Sequence, residues 1–374
     1  MSGAARPHLR ALTGLRFVAA AHVLAFHSHW GDAPAPAFVR NIAGCGYTAV
    51  SLFFVLSGFI LTYVHAQPGS RRMEGRQFYV SRLARIYPAY AFALALIGPF
   101  FVGHTIRTAG LVETLRQGIA VVALVQAFVP GWAMAWNPPG WSLSAEAFFY
   151  LLFPWAAAML GSCRRSRAVV VGLACYALCL LIPLAYDRIA PDGLSLATPT
   201  SQTFWLNVLR YNPIVRFPEF VMGVVLGRCY LESEKTWLSG RRAALASWGA
   251  AAALAILFSN TPRIPYPLLH NGLPAPLFAL LIVSLAQGRG AIASVLSTPP
   301  LVALGEASYS LYVLQVPLLV LWFKAQGHAG EPLHRAMQHE ATFVIFVVVS
   351  SLLSHRYVEQ PLRKAVVSAL RTNG

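Results

Sequence analysis

An all-α polytopic membrane bundle is the fold class this sequence predicts, on three observations. Only 11% of the 374 residues are charged, against about 25% in soluble domains. Mean hydropathy is +0.57. Apolar runs of spanning length recur along the whole chain, which calls for helices rather than a barrel. The chain reads as one integral-membrane domain over 1–374, with its core at 10–364 and no appended soluble domain. The first apolar run is not a cleavable signal: it contains Arg16, His22 and His27, and no small-residue cleavage site follows before the next apolar run. A net charge of +16 could suit nucleic acid. The arginines, however, cluster in short loops between apolar runs, as the positive-inside rule expects, so the expected partner is a lipid bilayer and not nucleic acid. Five cysteines show no metal-ligand spacing, and no metal is expected.

Taken in order, spans fall near 11–30, 44–66, 86–104, 143–162, 168–186, 214–231, 243–259, 272–287, 300–323 and 340–357. An eleventh apolar piece, Gly118 to Val129, is short and runs into PGWAMAWNPPGW. Apolar segments of that length often lie at or re-enter an interface. Counting the piece as a crossing would move the later basic loops to the outer side. About ten transmembrane helices with a re-entrant or interfacial segment near 118–140, and both termini cytoplasmic, keep most of the 29 Lys and Arg inside.

The chemistry-bearing residues follow the same order. Arg16 and His27 lie eleven positions apart in the first span. Eleven helical steps return to within roughly 20° of the same face, about 16 Å further along the axis. Ionisable groups within a membrane usually face a bundle interior; the plainer reading is that each marks one interface. Ser57 and Gly58 in SLFFVLSGFIL would serve as a small-residue packing notch or let a ligand approach backbone. Arg82 and Arg85 share a helix face and form a fork suited to phosphate, or simply a basic anchor. In WNPPGWSLSAEAFFY, Asn137 to Gly140 break any helix, Ser142 or Ser144 can cap the next one, and Glu146 lies in its first turn at the outer end, near His27. Arg216 and Glu219 read as an ion pair at the mouth of a span, and HRYVEQPLRK brings Glu359, Arg363 and Lys364 to the inner face.

Each signal is weak alone, but their order is specific. Arg16 and His27 with ten residues between them, FFVLSGF, RLARIYP, WSLSAEAFFY, RFPEFVMG, SYSLYVLQVP and a closing VEQPLR together resemble the acyltransferase-3 family of bacterial membrane proteins, over Arg10 to Lys364. That family includes O-acetyltransferases of surface polysaccharides and macrolide acyltransferases. The resemblance implies a ten-helix core that uses cytoplasmic acyl-CoA as donor, with no permanently bound cofactor. It carries the family's arginine and histidine onto Arg16 and His27, its RxxR pair onto Arg82 and Arg85, and its glutamate after WSLS onto Glu146. Many members have a histidine where this chain has Gln315.

The mechanism expected from these pieces has Arg82 and Arg85 hold the phosphates of acetyl-CoA, with Arg16 assisting and Ser57 and Gly58 near the donor. His27 is the general base on an acceptor hydroxyl, with Glu146 as partner. Trp141, Ser144, Tyr150, Tyr309 and Gln315 are candidate substrate-lining residues. Direct transfer ranks ahead of an acyl-enzyme on Ser57 or Ser144, since no serine has a base at recognisable spacing. The expected acceptor is a hydroxyl of a cell-envelope or exported glycan, and the expected location the bacterial inner membrane. The alternatives are a small glycosylated metabolite as acceptor, or a transporter or flippase of a lipid-linked substrate, which would consume no acyl-CoA.

Overall fold

A computed structural model describes residues 6–28, 30–32, 34–65, 75–232, 240–325 and 341–372. Among these residues the regular structure is entirely helical. Eight helical stretches are long and apolar enough to cross a membrane, including Ala37–His65, Gly75–Val122, Gly140–Ser162 and Arg165–Ile189. Two further helices of comparable length carry more polar residues within the same bundle: α1 (Arg10–His27) and α8 (Pro213–Glu232). The protein is a multi-pass membrane bundle of about the expected number of helices. Some expected boundaries move. The span foreseen at 300–323 is two helices, Pro299–Glu306 and Ser308–Ala325. The last span, Ala341–Ser354, continues through one π turn, His355–Glu359, into Gln360–Thr372.

At the centre, α3 (Ala49–His65) and α8 run parallel in the most extensive helix contact of the bundle. Lipid tails are as apolar as Leu side chains, so helices in a membrane associate through close packing, and small residues permit it. Gly223 and Gly227 of α8 form a G-x-x-x-G face. A Cβ on Gly223 would sit 2.0 Å from the Val55 carbonyl oxygen, and one on Gly58 would sit 2.1 Å from that of Phe220. Gly58 is therefore a packing notch against α8 backbone, the plainer of its two readings. Helix α1 runs antiparallel to α3: Arg6 donates to the Tyr63 carbonyl at one end, and Gly46 abuts the His22 carbonyl at the other.

The basic loops gather at one end. Arg228 donates to the Cys163 carbonyl beside Arg164 and Arg165, and Tyr230 donates to the Ala286 carbonyl, near Arg289. This basic end also holds the start of α1, the end of α3 and the start of α4 (Gly75–Val122). Arg71, Arg72 and Lys235 lie outside the described residues.

The segment after α4 decides the site. Helix α4 breaks at Gly110, whose φ of 83° suits only glycine comfortably. The arm after it folds back, so that Tyr90 and Tyr87 of the first arm donate to the carbonyls of Val121 (2.9 Å) and Val122 (3.2 Å). Residues 123–139 then run partly buried along the bundle, with one 3-10 turn at Gln126–Phe128. Trp136 packs on Gly118 and Gly98, and Gln126 donates to the Gly140 carbonyl at 3.0 Å. Asn137 donates at 3.0 Å to the carbonyl of Val313 in α14 (Ser308–Ala325). Pro317 lacks the N–H that would take that carbonyl in an α-helix, so the asparagine replaces a missing backbone donor. From Gly140, α5 (Gly140–Ser162) continues toward the basic end, where Tyr79 donates to the Leu151 carbonyl. Segment 118–140 thus folds back against the first arm of α4, as a re-entrant segment would, and α5 begins within the bundle.

Candidate active site

A cavity of about 600 Å³ enters the bundle between α1, α3, α4, α5 and α14. Arg6, Pro7, His8, Tyr63 and Val64 line it at the basic end; Phe54, Ser142 and Tyr312 close it at mid-depth. Most of its wall is apolar, from Leu12, Val50, Phe53, Leu56, Ile60 and Leu61. Into this apolar tube project Arg16 from α1, Arg82 and Arg85 from α4, and Glu146 and Tyr150 from α5. Helical spacing explains the pairs. Arg82 and Arg85 are three apart and share a face. Glu146 and Tyr150 are four apart, and the tyrosine donates to Glu146 Oε2 at 3.0 Å. Glu146 lies within electrostatic reach of Arg16, Arg85 and Arg82. Arg85 is ion-paired to Glu359 and lies over the Tyr309 ring, 5.4 Å from its centroid. Tyr309 in turn donates to the Ile86 carbonyl, and Ser142 donates to the Tyr312 hydroxyl at 2.8 Å.

The structure divides the sequence-selected residues into two groups. Arg16, Ser57, Arg82, Arg85, Glu146, Tyr150 and Tyr309 line the one cavity. Gly58, Trp141, Ser144, Gln315 and His27 are absent from its wall. Trp141 stacks toward Tyr211 and the Arg216 guanidinium, and Ser144 and Gln315 are buried in the bundle. His27 is the last residue of α1, half-buried with its ring against Phe26. The α1 wall of the cavity ends at Arg16, eleven residues earlier.

Two expectations change. Glu146 does not sit at the outer mouth near His27; it groups with the arginines. The reason is the re-entrant segment, which starts α5 inside the bundle at Gly140 and so carries Glu146 to mid-depth. Nor does Ser142 or Ser144 cap α5. The helix begins at Gly140 after Pro139 without a side-chain cap, and Ser142 bonds back to the Pro139 carbonyl and across to Tyr312.

The Arg216–Glu219 pair forms at 2.9 Å, but with both side chains 1% exposed it lies within the bundle and not at a mouth. Arg216 also donates to Ser51 Oγ (3.0 Å) and the His270 carbonyl (2.6 Å), and Ser51 donates to Glu219 (2.9 Å). Tyr47 stacks on His270, and the guanidinium lies over Phe54 and Trp141. This network caps the mid-depth end of the cavity and lies on the His27 side of it. Sequence reasoning missed its extent because Ser51, Arg216 and His270 are far apart in the chain.

Outside the bundle, Asp192 organises the loop before α7 (Phe204–Tyr211). It accepts from Thr203 and from the backbone N–H groups of Trp205 and Leu206. Its slight burial would raise the carboxyl, but these hydrogen bonds outweigh that and hold it below the ordinary aspartate range.

A family model described as an acyltransferase domain, acyltransferase-3, matches residues 9–354. Acyltransferase MdmB of Streptomyces mycarofaciens is 28% identical over 94% of this chain and 91% of its own length. The putative peptidoglycan O-acetyltransferase YrhL of Bacillus subtilis is 24% identical over 95% of this chain and 55% of its own. The O-acetyltransferase OatA of Staphylococcus aureus is 23% identical over 96% and 57%. This chain therefore spans little more than half the length of YrhL and OatA. No solved structure matches.

Proposed function

From the premise that the chain belongs to the acyltransferase-3 family and is a membrane acyltransferase, we propose that it moves an acetyl group from cytoplasmic acetyl-CoA to a hydroxyl of a cell-envelope or exported glycan. The observation that carries this reading is the cavity itself. It opens at the end where the basic loops gather, which the positive-inside rule assigns to the cytoplasm. It offers the Arg82 and Arg85 guanidiniums to a polyanion and an apolar tube to the slender thioester arm behind it. The enzyme resides in the bacterial inner membrane with both termini cytoplasmic.

In this reading Arg82 and Arg85 meet the donor's phosphates, and the thioester rests near Arg16, Glu146 and Ser57. The acceptor oxygen adds to the acetyl carbon to give a tetrahedral intermediate, whose collapse breaks the carbon–sulfur bond. The hydroxyl proton passes to a base, and the departing thiolate regains a proton to leave as CoA thiol. The Arg16 guanidinium suits the oxyanion of the tetrahedral intermediate. Two groups compete for the role of base. His27 is the group the family resemblance assigns and stands on the acceptor side. Glu146 has the advantage of position, since it lines the cavity. In either case the acetyl group transfers directly, without an acyl-serine.

A small glycosylated metabolite is the second acceptor class that the family resemblance implies. Mass analysis of surface glycan and of secreted metabolites from cells with and without this protein separates the two acceptors. Thiol release from acetyl-CoA by purified protein, given extracted acceptor, tests the reaction class. No release with any acceptor fraction, or translocation of a lipid-linked substrate without it, ends the proposal.

A further inference from the structure

The two arginines of the RLAR pair differ in what holds them. Arg82 contacts its own helix: its Nε donates to Ser81 Oγ at 3.3 Å, and its guanidinium lies 5.9 Å from the Phe78 ring centroid. Arg85 is held by two other elements. Its Nη1 donates to Glu359 Oε1, and its plane lies over Tyr309 of α14. Glu359 is itself fixed. It is 1% exposed, and its second oxygen accepts from Ser310 Oγ at 2.9 Å and meets His355 Nδ1 at 3.0 Å. His355 is further tied to Gln360 at 3.0 Å.

The local backbone explains how the carboxylate gets there. Residues His355–Glu359 form a π turn between two α-helices. One extra residue per turn rotates everything after it by about 100° relative to an unbroken α-helix. That rotation brings Glu359 inward against α4 and α14. The resulting chain of contacts runs from the C-terminal helix to a guanidinium in the cavity wall.

We propose that Glu359 is a positioning residue for the donor site, holding Arg85 with one N–H edge committed to the carboxylate and the other presented to the donor's phosphates. The arginine pair is therefore unequal. Arg85 is a preset clamp ion-paired to Glu359, while Arg82, which makes no salt bridge among the described residues, adjusts to the ligand. A preset guanidinium loses less side-chain freedom on binding, which is how preorganisation raises affinity. This inference rests on the reading of the cavity as an acetyl-CoA site.

The test measures equilibrium binding to the full-length protein in nanodiscs, using acetyl-CoA and the phosphate-free thioester S-acetylpantetheine. Glu359→Gln is expected to weaken acetyl-CoA binding at least tenfold and to leave S-acetylpantetheine within twofold of wild type. Glu359→Asp should retain most of the affinity. Ser310→Ala, which removes a single prop from the carboxylate and guards against a folding failure of Glu359→Gln, should weaken acetyl-CoA binding about threefold with the same ligand selectivity. Equal weakening of both ligands overturns the proposal in favour of a purely structural ion pair. Tighter acetyl-CoA binding by Glu359→Gln overturns it in the other direction, making Glu359 a counterion that the donor displaces. If wild type binds the two thioesters alike, the donor reading of the cavity has failed, and the positioning role falls with it.

Discussion

The parallel α3–α8 contact gives the sharpest quantitative expectation. In Gly223→Ala the new Cβ would lie 2.0 Å from the Val55 carbonyl oxygen, where ordinary contact begins at 3.4 Å. The helices must then part locally by about 1.4 Å, the difference between those distances. A gap of 0.5–1 Å already forfeits a quarter to a half of each dispersion contact along the seam. Overpacking typically costs 1–3 kcal/mol. Because the obstruction here is backbone on backbone, no rotamer change relieves it, and about 3 kcal/mol is expected, or roughly two decades in the unfolding equilibrium. The control is Gly249→Ala in the helix Arg241–Ser259, where the added Cβ meets nothing within 4 Å and alanine is the better helix former. Both variants would be purified in mild detergent and their unfolding followed by intrinsic fluorescence through a thermal and an SDS titration. Gly223→Ala should unfold well before wild type, and Gly249→Ala at or above it. Indistinguishable midpoints for the two variants would falsify the close-packed seam. Because Phe54 and Ser57 of α3 line the cavity, Gly223→Ala should also lose acyl transfer.

Three further expectations concern the polar interior. His27→Ala and Glu146→Gln should both fold; the one that abolishes transfer while leaving acetyl-CoA binding intact marks the base, and full turnover by both removes each from the chemistry. Arg216→Leu strands the Glu219 carboxylate and should cost about 3–5 kcal/mol, whereas the double variant Arg216→Met, Glu219→Leu should recover most of that; a double variant as unstable as the single would show that the charges stabilise beyond their mutual pairing. Asn137→Leu should cost about 1–3 kcal/mol by orphaning the Val313 carbonyl, and that cost should shrink in a Pro317→Ala background, where residue 317 supplies the missing N–H; equal costs in both backgrounds would sink the account of why Asn137 is there.

Much of this protein was legible in order of chain. Apolar run length and arginine placement were enough for a bundle of about ten helices with its basic loops at one end. The Pro- and Gly-rich stretch Pro130 to Gly140 was enough for a break before α5. The pair Arg82 and Arg85 could be read because helical spacing of three is a local property. The G-x-x-x-G of Gly223 and Gly227 was equally readable and was overlooked. What could not be read is depth. Glu146 was expected at the outer mouth, because the sequence marks a re-entrant or interfacial segment near 118–140 but not the depth at which it hands over to α5.

Sequence alone thus determined the class and the approximate number of spanning helices, since both depend on hydrophobic length, while the order of its motifs, through the family resemblance, singled out the arginines and the carboxylate. Tertiary structure alone decided which of them meet: Glu146 with Arg16 and not with His27, Arg85 with Glu359 across 274 positions, and Arg216 with Ser51 and His270. Those meetings depend on where a re-entrant segment stops and on which way a π turn faces, and both are settled only when helices pack against one another.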